Sequence, residues 1–224
     1  METPVILNPI SANATMSGEH LRMTYEEYLA WAGDDKRGEW VNGEVIEFMP
    51  PKALHQNLTG FFYTLLTFFV KMFKLGYVGI APLEVRLSPD ISREPDIFFV
   101  SKSRMNIVND DRVEGVPDLI VEVVSKDSVQ RDREDKFDEY EAAGVHEYWI
   151  IDNRPRRQWA GFYRLDAPNG VYQRIEPVNG VFYSDVIKHF WLRIDWLWQS
   201  NPDEVESLRE IINETGINPF DRKN

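Results

Sequence analysis

The alternation of apolar and polar residues divides the chain into segments typical of an α/β protein. Residues 119–124 form a β-branched run, residues 126–143 are highly charged with a thin apolar stripe, and residues 146–151 form a second apolar run. Gly144 follows the charged segment, where a glycine can end a helix. The pattern predicts a strand, a helix and a strand in succession, and this unit organises the rest of the chain.

Three local signals precede this unit. Thr24 and Glu27 form a capping-box pair that opens a short helix through Trp31. Asn42-Gly43 is the preferred dipeptide of a type I′ turn, and alternating residues on both sides predict a hairpin. A long helix is predicted from about Ala53 to Leu75 with Gly76 as its terminating residue, and apolar side chains line one broad face: Leu58, Phe61, Phe62, Leu65, Phe69 and Phe73.

The remaining segments complete a mixed sheet. Strands are predicted at about 77–87 and 95–100, and residues 101–116 form a long polar connection. Short antiparallel strands follow Asp152, and the aromatic segment FWLRIDWLW predicts a packing or dimer surface whose tryptophans lie mostly in the core. Asn201, followed by Pro202 and Glu204, is predicted to cap a last helix, which runs to about Glu214. The expected fold class is α/β (mixed α+β), a central mixed sheet flanked by helices.

Length and composition limit the classes of function. The 224 residues predict a flexible arm at 1–20, a single domain at 21–200, and a C-terminal helix and tail at 201–224. There are no cysteines, which excludes disulfides and thiolate metal sites. The N-terminus shows no secretory signal, and the most apolar helix candidate, residues 60–70, is too short to span a bilayer, so a cytoplasmic location is expected. A net charge of −12 argues against broad electrostatic coating of nucleic acid, but permits an enzyme that contacts a few phosphates.

One carboxylate interrupts the apolar strand. Glu122 is flanked by valines on both sides, and an unpaired buried carboxylate costs several kcal/mol unless it has a partner, a proton or a metal. Asp118 shares the face of Glu122 but lies roughly 13 Å away along the strand, so the two cannot share one ion. Asp96, which opens the apolar run of a neighbouring strand, is the best partner. Oxygen ligands from two strands favour Mg²⁺ or Mn²⁺, whereas the alternative is that Asp96 is a turn residue after Pro95.

A lysine beside such a site could orient water and balance charge on a phosphate. Val124 occupies the position two residues after Glu122, and Lys126 lies roughly 13 Å from Glu122 along the strand direction. Lys136 lies on the predicted inward stripe of the following helix, so its amine could reach back over the strand. The alternative is an exposed ion pair of Lys136 with Asp132 at i,i+4 spacing.

The ordered motifs resemble a known family. The segments WVNGEVIEFMPP, HQNL, EPDIFFV and PDLIVEVVSKDS, with the later RD, K, Y and AGVHEYWIID, closely resemble the Uma-type restriction endonucleases of bacteria, which are placed in the PD-(D/E)xK nuclease superfamily. The resemblance covers roughly residues 24–198. It implies a mixed sheet with a helix on each side and the acids near one edge. A paired methyltransferase and sequence specificity do not follow from it.

Residue roles are carried over on the matching motifs. The resemblance implies that Asp96 and Glu122 hold Mg²⁺ or Mn²⁺ and that Lys136 replaces the usual strand lysine. His55 matches a histidine at the start of the first helix, where it could orient water or help hold the metal, although a hydrogen-bonded core histidine is the alternative. Supporting roles are implied for three further residues: Glu44, Glu84 and Tyr140.

Three hypotheses of function remain at this point. The first is a Mg²⁺-dependent endonuclease that hydrolyses DNA phosphodiester bonds, with Arg154, Arg156 and Arg157 as candidate phosphate contacts, although a solvated loop would equally explain these arginines. The second is a catalytically inactive nuclease-fold module that binds nucleic acid or a protein partner. The third is a metal enzyme that acts on a small phosphoester, which the acidity of the chain permits. A homodimer is compatible with each of them.

Overall fold

The computed structural model describes residues 21–32, 36, 38–47, 51–125 and 128–216. The chain divides between residues 48 and 49 into two compact units. The predicted arm at 1–20, the start of the charged segment at 126–127 and the tail beyond residue 216 lie outside the described residues.

The described residues of the first unit form three antiparallel strands and one helix. Its elements are β1 (Leu21–Arg22), α1 (Tyr25–Ala32), β2 (Gly38–Val41) and β3 (Glu44–Glu47), and β3 pairs with both β1 and β2. The predicted capping box is confirmed, because Glu27 N donates to Thr24 Oγ1 (3.2 Å) and Thr24 N donates to Glu27 Oε2 (2.9 Å). The predicted hairpin is confirmed too, with Asn42 and Gly43 at φ 50° and 84°, the positive values that a type I′ turn requires.

The second unit carries the other helices and strands, which are, in chain order, α2 (Ala53–Phe73), β4 (Gly76–Ile80), β5 (Glu84–Ser88), β6 (Ile91–Arg93), β7 (Ile97–Ser101), β8 (Arg112–Glu114), β9 (Leu119–Val123), α3 (Lys136–Ala143), β10 (Glu147–Asp152), β11 (Trp159–Asp166), β12 (Val171–Arg174), β13 (Val181–Tyr183), β14 (Trp191–Arg193) and α4 (Glu204–Thr215). A π-helical turn, Arg131–Asp135, leads directly into α3. Among the described residues, none of the helices has the length and apolar character needed to cross a membrane.

The central sheet of this unit has the strand order β12-β11-β10-β9-β7-β4. The β9–β10 pair is parallel, as expected for two strands joined by a helical crossover, and the other neighbours are antiparallel. A smaller set of strands pairs in the order β6-β5-β8, and β13 pairs with β14. The predicted mixed sheet flanked by helices is confirmed.

Alternate residues of the central strands face two separate apolar clusters. One cluster packs beneath α2 and includes Ile97, Phe99, Leu119, Val121, Val123, Trp149 and Ile151. The other packs beneath α3 and includes Phe98, Val100, Ile120, Val124, Tyr148 and Ile150. Glu122 lies on the same face of the sheet as Ile120 and Val124, so its carboxylate points to the α3 side.

Two predictions near the first strands were wrong. Residues 77–87 form two strands, β4 and β5, because the chain turns at Ala81–Leu83, where Pro82 has no N–H for a sheet ladder. Gly76 does not end α2. Lys74 takes the left-handed conformation there (φ 55°), and Gly76 opens β4, where a Cβ would lie 2.0 Å from Val100 O.

Later segments also differ from the prediction. The polar connection at 101–116 contains a 3₁₀ turn, Lys102–Ile107, and the short strand β8. Asp203, rather than Asn201, caps α4, because its carboxylate accepts hydrogen bonds from Val205 N and Glu206 N. The aromatic segment lies in the core, as predicted for its tryptophans, with five buried side chains: Phe190, Trp191, Leu192, Trp196 and Leu197.

Candidate active site

Glu122 is the fourth of the five residues of β9 and is buried, with an exposed fraction of 3%. Its Oε1 accepts hydrogen bonds from Lys136 Nζ (2.7 Å) and Tyr140 OH (2.9 Å). Both donors lie on α3, one helical turn apart, on the side of the helix that faces the sheet. A buried carboxylate is tolerated here because it has a cationic partner and a second donor.

The π-helical turn before α3 shapes the next part of the site. In this turn, Lys136 N donates to Arg131 O, a hydrogen bond of i to i−5 spacing. Asp132, inside the turn, is 2% exposed, and its Oδ1 lies 3.7 Å from Lys136 Nζ. The interpretation of Asp132 and Lys136 as an exposed surface pair is therefore wrong, because both side chains are buried beside Glu122.

Asp96 approaches Glu122 from the neighbouring strand. Ile97 pairs with Val121 in the antiparallel β7–β9 ladder, so one residue further along Asp96 stands opposite Glu122. Asp96 Oδ2 accepts a hydrogen bond from Val123 N (2.8 Å) and lies 3.1 Å from His55 Nε2. The two acids considered as metal ligands thus come from adjacent strands at the same level of the sheet.

His55 enters from the other face of the sheet, in the first turn of α2. Its Nδ1 lies 3.4 Å from Thr59 Oγ1, and its Nε2 contacts Asp96. Burial alone would lower the pKa of His55, but the hydrogen bond to Asp96 and the negative charges of Asp96, Glu122 and Asp132 raise that pKa above its ordinary value. A proton on His55 is favoured by this surplus of acids.

Acids outnumber bases in this cluster. Three carboxylates, of Asp96, Glu122 and Asp132, act on the same region as Lys136 and His55. Burial raises the pKa of Asp132 despite the opposing effects of Lys136, Ser128 and Arg131. Surplus negative charge in a partly buried place favours the binding of a cation.

Asp96 and Glu122 are the residues that could hold such an ion. Within the described part of the chain, no group of three or more His, Asp or Glu side chains has an arrangement that could hold a metal. Two carboxylates nevertheless fit Mg²⁺ or Mn²⁺. These ions commonly bind through one or two carboxylates, and oxygens of water and substrate complete their coordination shell. The donor set therefore fits a small hard cation and offers no soft ligand.

Two further acids predicted as supporting residues, Glu84 and Glu44, have ion-pair partners of their own. Glu84 is on β5, where it accepts a hydrogen bond from Ser92 Oγ (2.5 Å) and pairs with Arg112 at 3.5 Å. Glu44 belongs to the first unit and pairs with Arg22.

The three arginines after β10 differ from one another. Arg154 donates from Nε to Asp152 Oδ1 (2.8 Å) and from Nη2 to Asp152 Oδ2 (2.7 Å). Arg156 and Arg157 are exposed, and Arg156 has a φ of 65° in the turn. Only the last two present their guanidinium groups at the surface.

Four residues near the site were not singled out as functional from the sequence. Asp132 forms an ion pair with Lys136, Ser128 donates a hydrogen bond to Asp132, and Thr59 contacts His55. Arg133 lies over the Trp159 ring, 4.5 Å from its centroid, and donates to Asp152 Oδ2 (3.1 Å). The only signal in the sequence was the spacing of Asp132, Lys136 and Tyr140, which repeats every four residues and matches one face of a helix.

Comparisons with known proteins identify the fold and the family of the chain. No curated protein sequence matches the chain significantly. Among solved structures, the crystal structure of a putative nuclease belonging to DUF820 from Anabaena variabilis ATCC 29413 has a TM-score of 0.64 and 20% sequence identity, with 80% of this chain and 98% of that chain covered. At 20% sequence identity, this structural similarity establishes the fold alone.

The model of the Uma2 family, described as putative restriction endonuclease, matches residues 25–195, which is more than half of the chain and includes both strands of the acid pair and the helix with Lys136. The chain therefore belongs to the Uma2 family.

Proposed function

We propose that this chain is a metal-dependent endonuclease that hydrolyses phosphodiester bonds of DNA. The observation that carries the proposal is the position of Asp96 opposite Glu122 on adjacent strands, with the amine of Lys136 2.7 Å from Glu122. Two acids and a lysine at one sheet end are the groups that phosphodiester hydrolysis with a divalent ion requires. Membership of the Uma2 family supports the same class of reaction.

Each residue has a definite task in this proposal. A Mg²⁺ or Mn²⁺ ion held by Asp96 and Glu122 would supply Lewis-acid activation of the phosphate and of the attacking water. Lys136 stabilises the negative charge that develops on the phosphate and orients the water. His55 fixes Asp96 through the 3.1 Å contact, and Tyr140 fixes Glu122 through its hydroxyl hydrogen bond.

Phosphates of the bound DNA would be contacted by a local group of arginines. Arg156 and Arg157 are exposed just after β10, whose Ile150 pairs with Glu122, so they lie near the acid end of the sheet. Arg133 adds a guanidinium whose plane is fixed by Trp159 and Asp152. Arg154 is bound bidentately to Asp152, and its role is to hold the loop rather than to contact a phosphate.

The proposal is tested first by calorimetric titration of Mn²⁺ into the wild type and into Asp96→Asn. Asp111→Asn, which removes an exposed carboxylate before β8, is the matched control for loss of one negative charge. We expect binding to the wild type and the control and none to Asp96→Asn. Cleavage of duplex DNA should then require Mg²⁺ or Mn²⁺ and disappear in folded Glu122→Gln. Unchanged cleavage in that variant would contradict the mechanism.

A non-catalytic binding module is the second candidate. It is favoured by the fact that Glu122 Oε1 already accepts hydrogen bonds from Lys136 and Tyr140, so this carboxylate has partners without a metal. Such a module would bind DNA equally well in EDTA and in Mg²⁺ and would leave it intact. Metal-stimulated binding with cleavage supports the enzyme instead.

A further inference from the structure

Asp132 is a buried carboxylate whose two oxygens have different environments. Its Oδ2 accepts a hydrogen bond from Ser128 Oγ, whereas Oδ1 has no hydrogen-bond donor among the residues that the structure describes. Lys136 Nζ lies 3.7 Å from this oxygen, at the distance of an ion pair but beyond that of a good hydrogen bond. An unsatisfied buried carboxylate oxygen is costly, so its presence beside the lysine calls for a reason.

The carboxylate is held rigidly in this orientation. Ser128 Oγ, which donates to Asp132, in turn accepts hydrogen bonds from Ser125 N and Ser125 Oγ, both at 3.0 Å. The backbone oxygen of Asp132 accepts a hydrogen bond from Tyr148 OH (2.8 Å). Asp132 is thus fixed from both its side chain and its main chain, while Oδ1 remains directed toward the amine.

The ammonium of Lys136 therefore lies between two carboxylates at unequal distances, 2.7 Å from Glu122 Oε1 and 3.7 Å from Asp132 Oδ1. When Glu122 serves as a ligand of a divalent cation, its remaining attraction for the ammonium falls, and the two positive groups repel each other. Without a second acid, the lysine would either compete with the ion for Glu122 or leave the site.

We propose that Asp132 is a positioning residue that provides a second anchor for the Lys136 amine when Glu122 coordinates a cation. This inference rests on the proposed metal-dependent function. It assigns the unsatisfied Oδ1 of Asp132 as the acceptor to which the amine shifts, a movement of about an ångström on the scale of ordinary hydrogen-bond distances. Lys136 then stays beside the reacting phosphate while it no longer opposes metal binding.

A double-mutant cycle with Mn²⁺ as the titrant tests this role. The four proteins are the wild type, Asp132→Asn, Lys136→Met and the double variant. We expect Asp132→Asn to weaken Mn²⁺ binding by about tenfold, the size expected when a residue supporting a ligand is removed. In the Lys136→Met background the same substitution should change binding by less than about threefold, because the competing ammonium is absent. An equal loss in both backgrounds would overturn the proposal, since it would show a general effect of charge.

Two further variants keep the test independent of folding defects. Asp135→Asn removes an exposed acid from the same turn, and it should leave Mn²⁺ affinity within about twofold of the wild type. If Lys136→Met does not fold, Ser128→Ala provides the second cycle, because it releases the Asp132 side chain without removing a charge. Ser128→Ala should weaken Mn²⁺ binding in the wild type and add nothing in Asp132→Asn; equal losses in both would overturn the proposal.

The outcome also separates this inference from the proposed function. If the wild type binds Mn²⁺ but the effects of Asp132→Asn and Lys136→Met are additive, Asp132 does not have the proposed role, and the proposed metal site stands. Absence of Mn²⁺ binding by the wild type, with DNA present as well as without it, would overturn the proposed function together with the role of Asp132.

Discussion

Glu122, an acid inside an apolar strand, shows that a buried carboxylate needs hydrogen-bond donors from neighbouring elements. Glu122 is buried between valines, yet it is compensated by Lys136 and Tyr140 from the helix above. The position two residues after Glu122 is filled by Val124, which lies in the apolar cluster beneath α3 with only 1% of its surface exposed, and the amine beside Glu122 comes instead from Lys136 of that helix.

Glu147, a second buried acid, gives a pH-dependent prediction. It accepts hydrogen bonds from Ser184 Oγ, Asp185 N and Arg164 Nη2, but burial outweighs these contacts and raises its pKa above the ordinary value of 4.5. Between pH 4.5 and the raised pKa, the folded chain therefore holds a proton that the unfolded chain has released. The stability contributed by this group is complete below 4.5 and is lost as pH rises through the folded pKa.

The measurement is urea unfolding of the wild type and of Glu147→Gln at several pH values. The free energy of unfolding of the wild type, relative to the variant, should increase as pH falls from about 8 to about 4.5, because the glutamine cannot titrate. A difference between the two proteins that does not change with pH would contradict the prediction.

The sequence predicted part of the site and missed part of it for definite physical reasons. The alternation of side chains along a strand and the spacing of residues on a helix are local properties, and they led to Glu122 and Lys136, whereas the supporting role of Tyr140 came from the family resemblance. A surface pair of Asp132 with Lys136 is the alternative at the level of the sequence, because an i,i+4 acid and lysine on a charged helix are usually solvated. The burial of Asp132 depends on the π-helical turn and on how that turn packs on the sheet, which no local pattern encodes.

At the scale of whole elements, the strongly periodic segments were the predictable ones. The hairpin, the long helix α2 and the unit of β9, α3 and β10 follow from period and turn chemistry. The break between β4 and β5 and the strand β8 depend on tertiary pairing, since short strands gain most of their stability from neighbours. The sequence predicts Gly76 as the residue that ends α2. In the structure a glycine is needed at this position because Val100 O lies too close for a Cβ atom.

The N-terminal cap of α4 gives a prediction at this scale. Asp203 Oδ1 accepts hydrogen bonds from Val205 N (3.0 Å) and Glu206 N (2.9 Å), two of the otherwise unpaired donors of the first turn. Asp203→Ala should lower the free energy of unfolding by about 1 kcal/mol. Asn201→Ala, the control at the residue first expected to form the cap, should change it by less than about 0.5 kcal/mol. Equal effects in urea unfolding would show that Asp203 is not the cap.

At the scale of the molecule, the net charge of −12 makes any contact with DNA a local one. Long-range repulsion of the two polyanions opposes association, so under the proposed function the affinity would come from a few arginines near the acid end of the sheet. Arg156 and Arg157 are exposed just after β10, and each phosphate contact proposed for them would release counterions when it forms.

The salt dependence of DNA binding measures how many phosphates these arginines neutralise. In the Glu122→Gln background, which should leave DNA uncut, Arg156→Ala/Arg157→Ala should reduce the slope of log affinity against log salt by about 0.9 for each phosphate that is no longer neutralised. Arg209→Ala, which removes an exposed arginine of α4 paired with Glu206, is the control and should leave the slope unchanged. The proposed phosphate contacts are wrong if fluorescence anisotropy gives the same slope for both variants.

The separation in sequence of the residues around Glu122 has a consequence for how the protein assembles itself. The contact of Glu122 with Lys136 closes a loop of 14 residues, whereas that of His55 with Asp96 closes one of 41. The lysine half of the site thus belongs to a contiguous strand, helix and strand that can form early in folding, at a smaller loss of chain entropy. The contact of His55 with Asp96 requires α2 to be docked on the sheet, and its longer loop is closed at a larger loss of chain entropy.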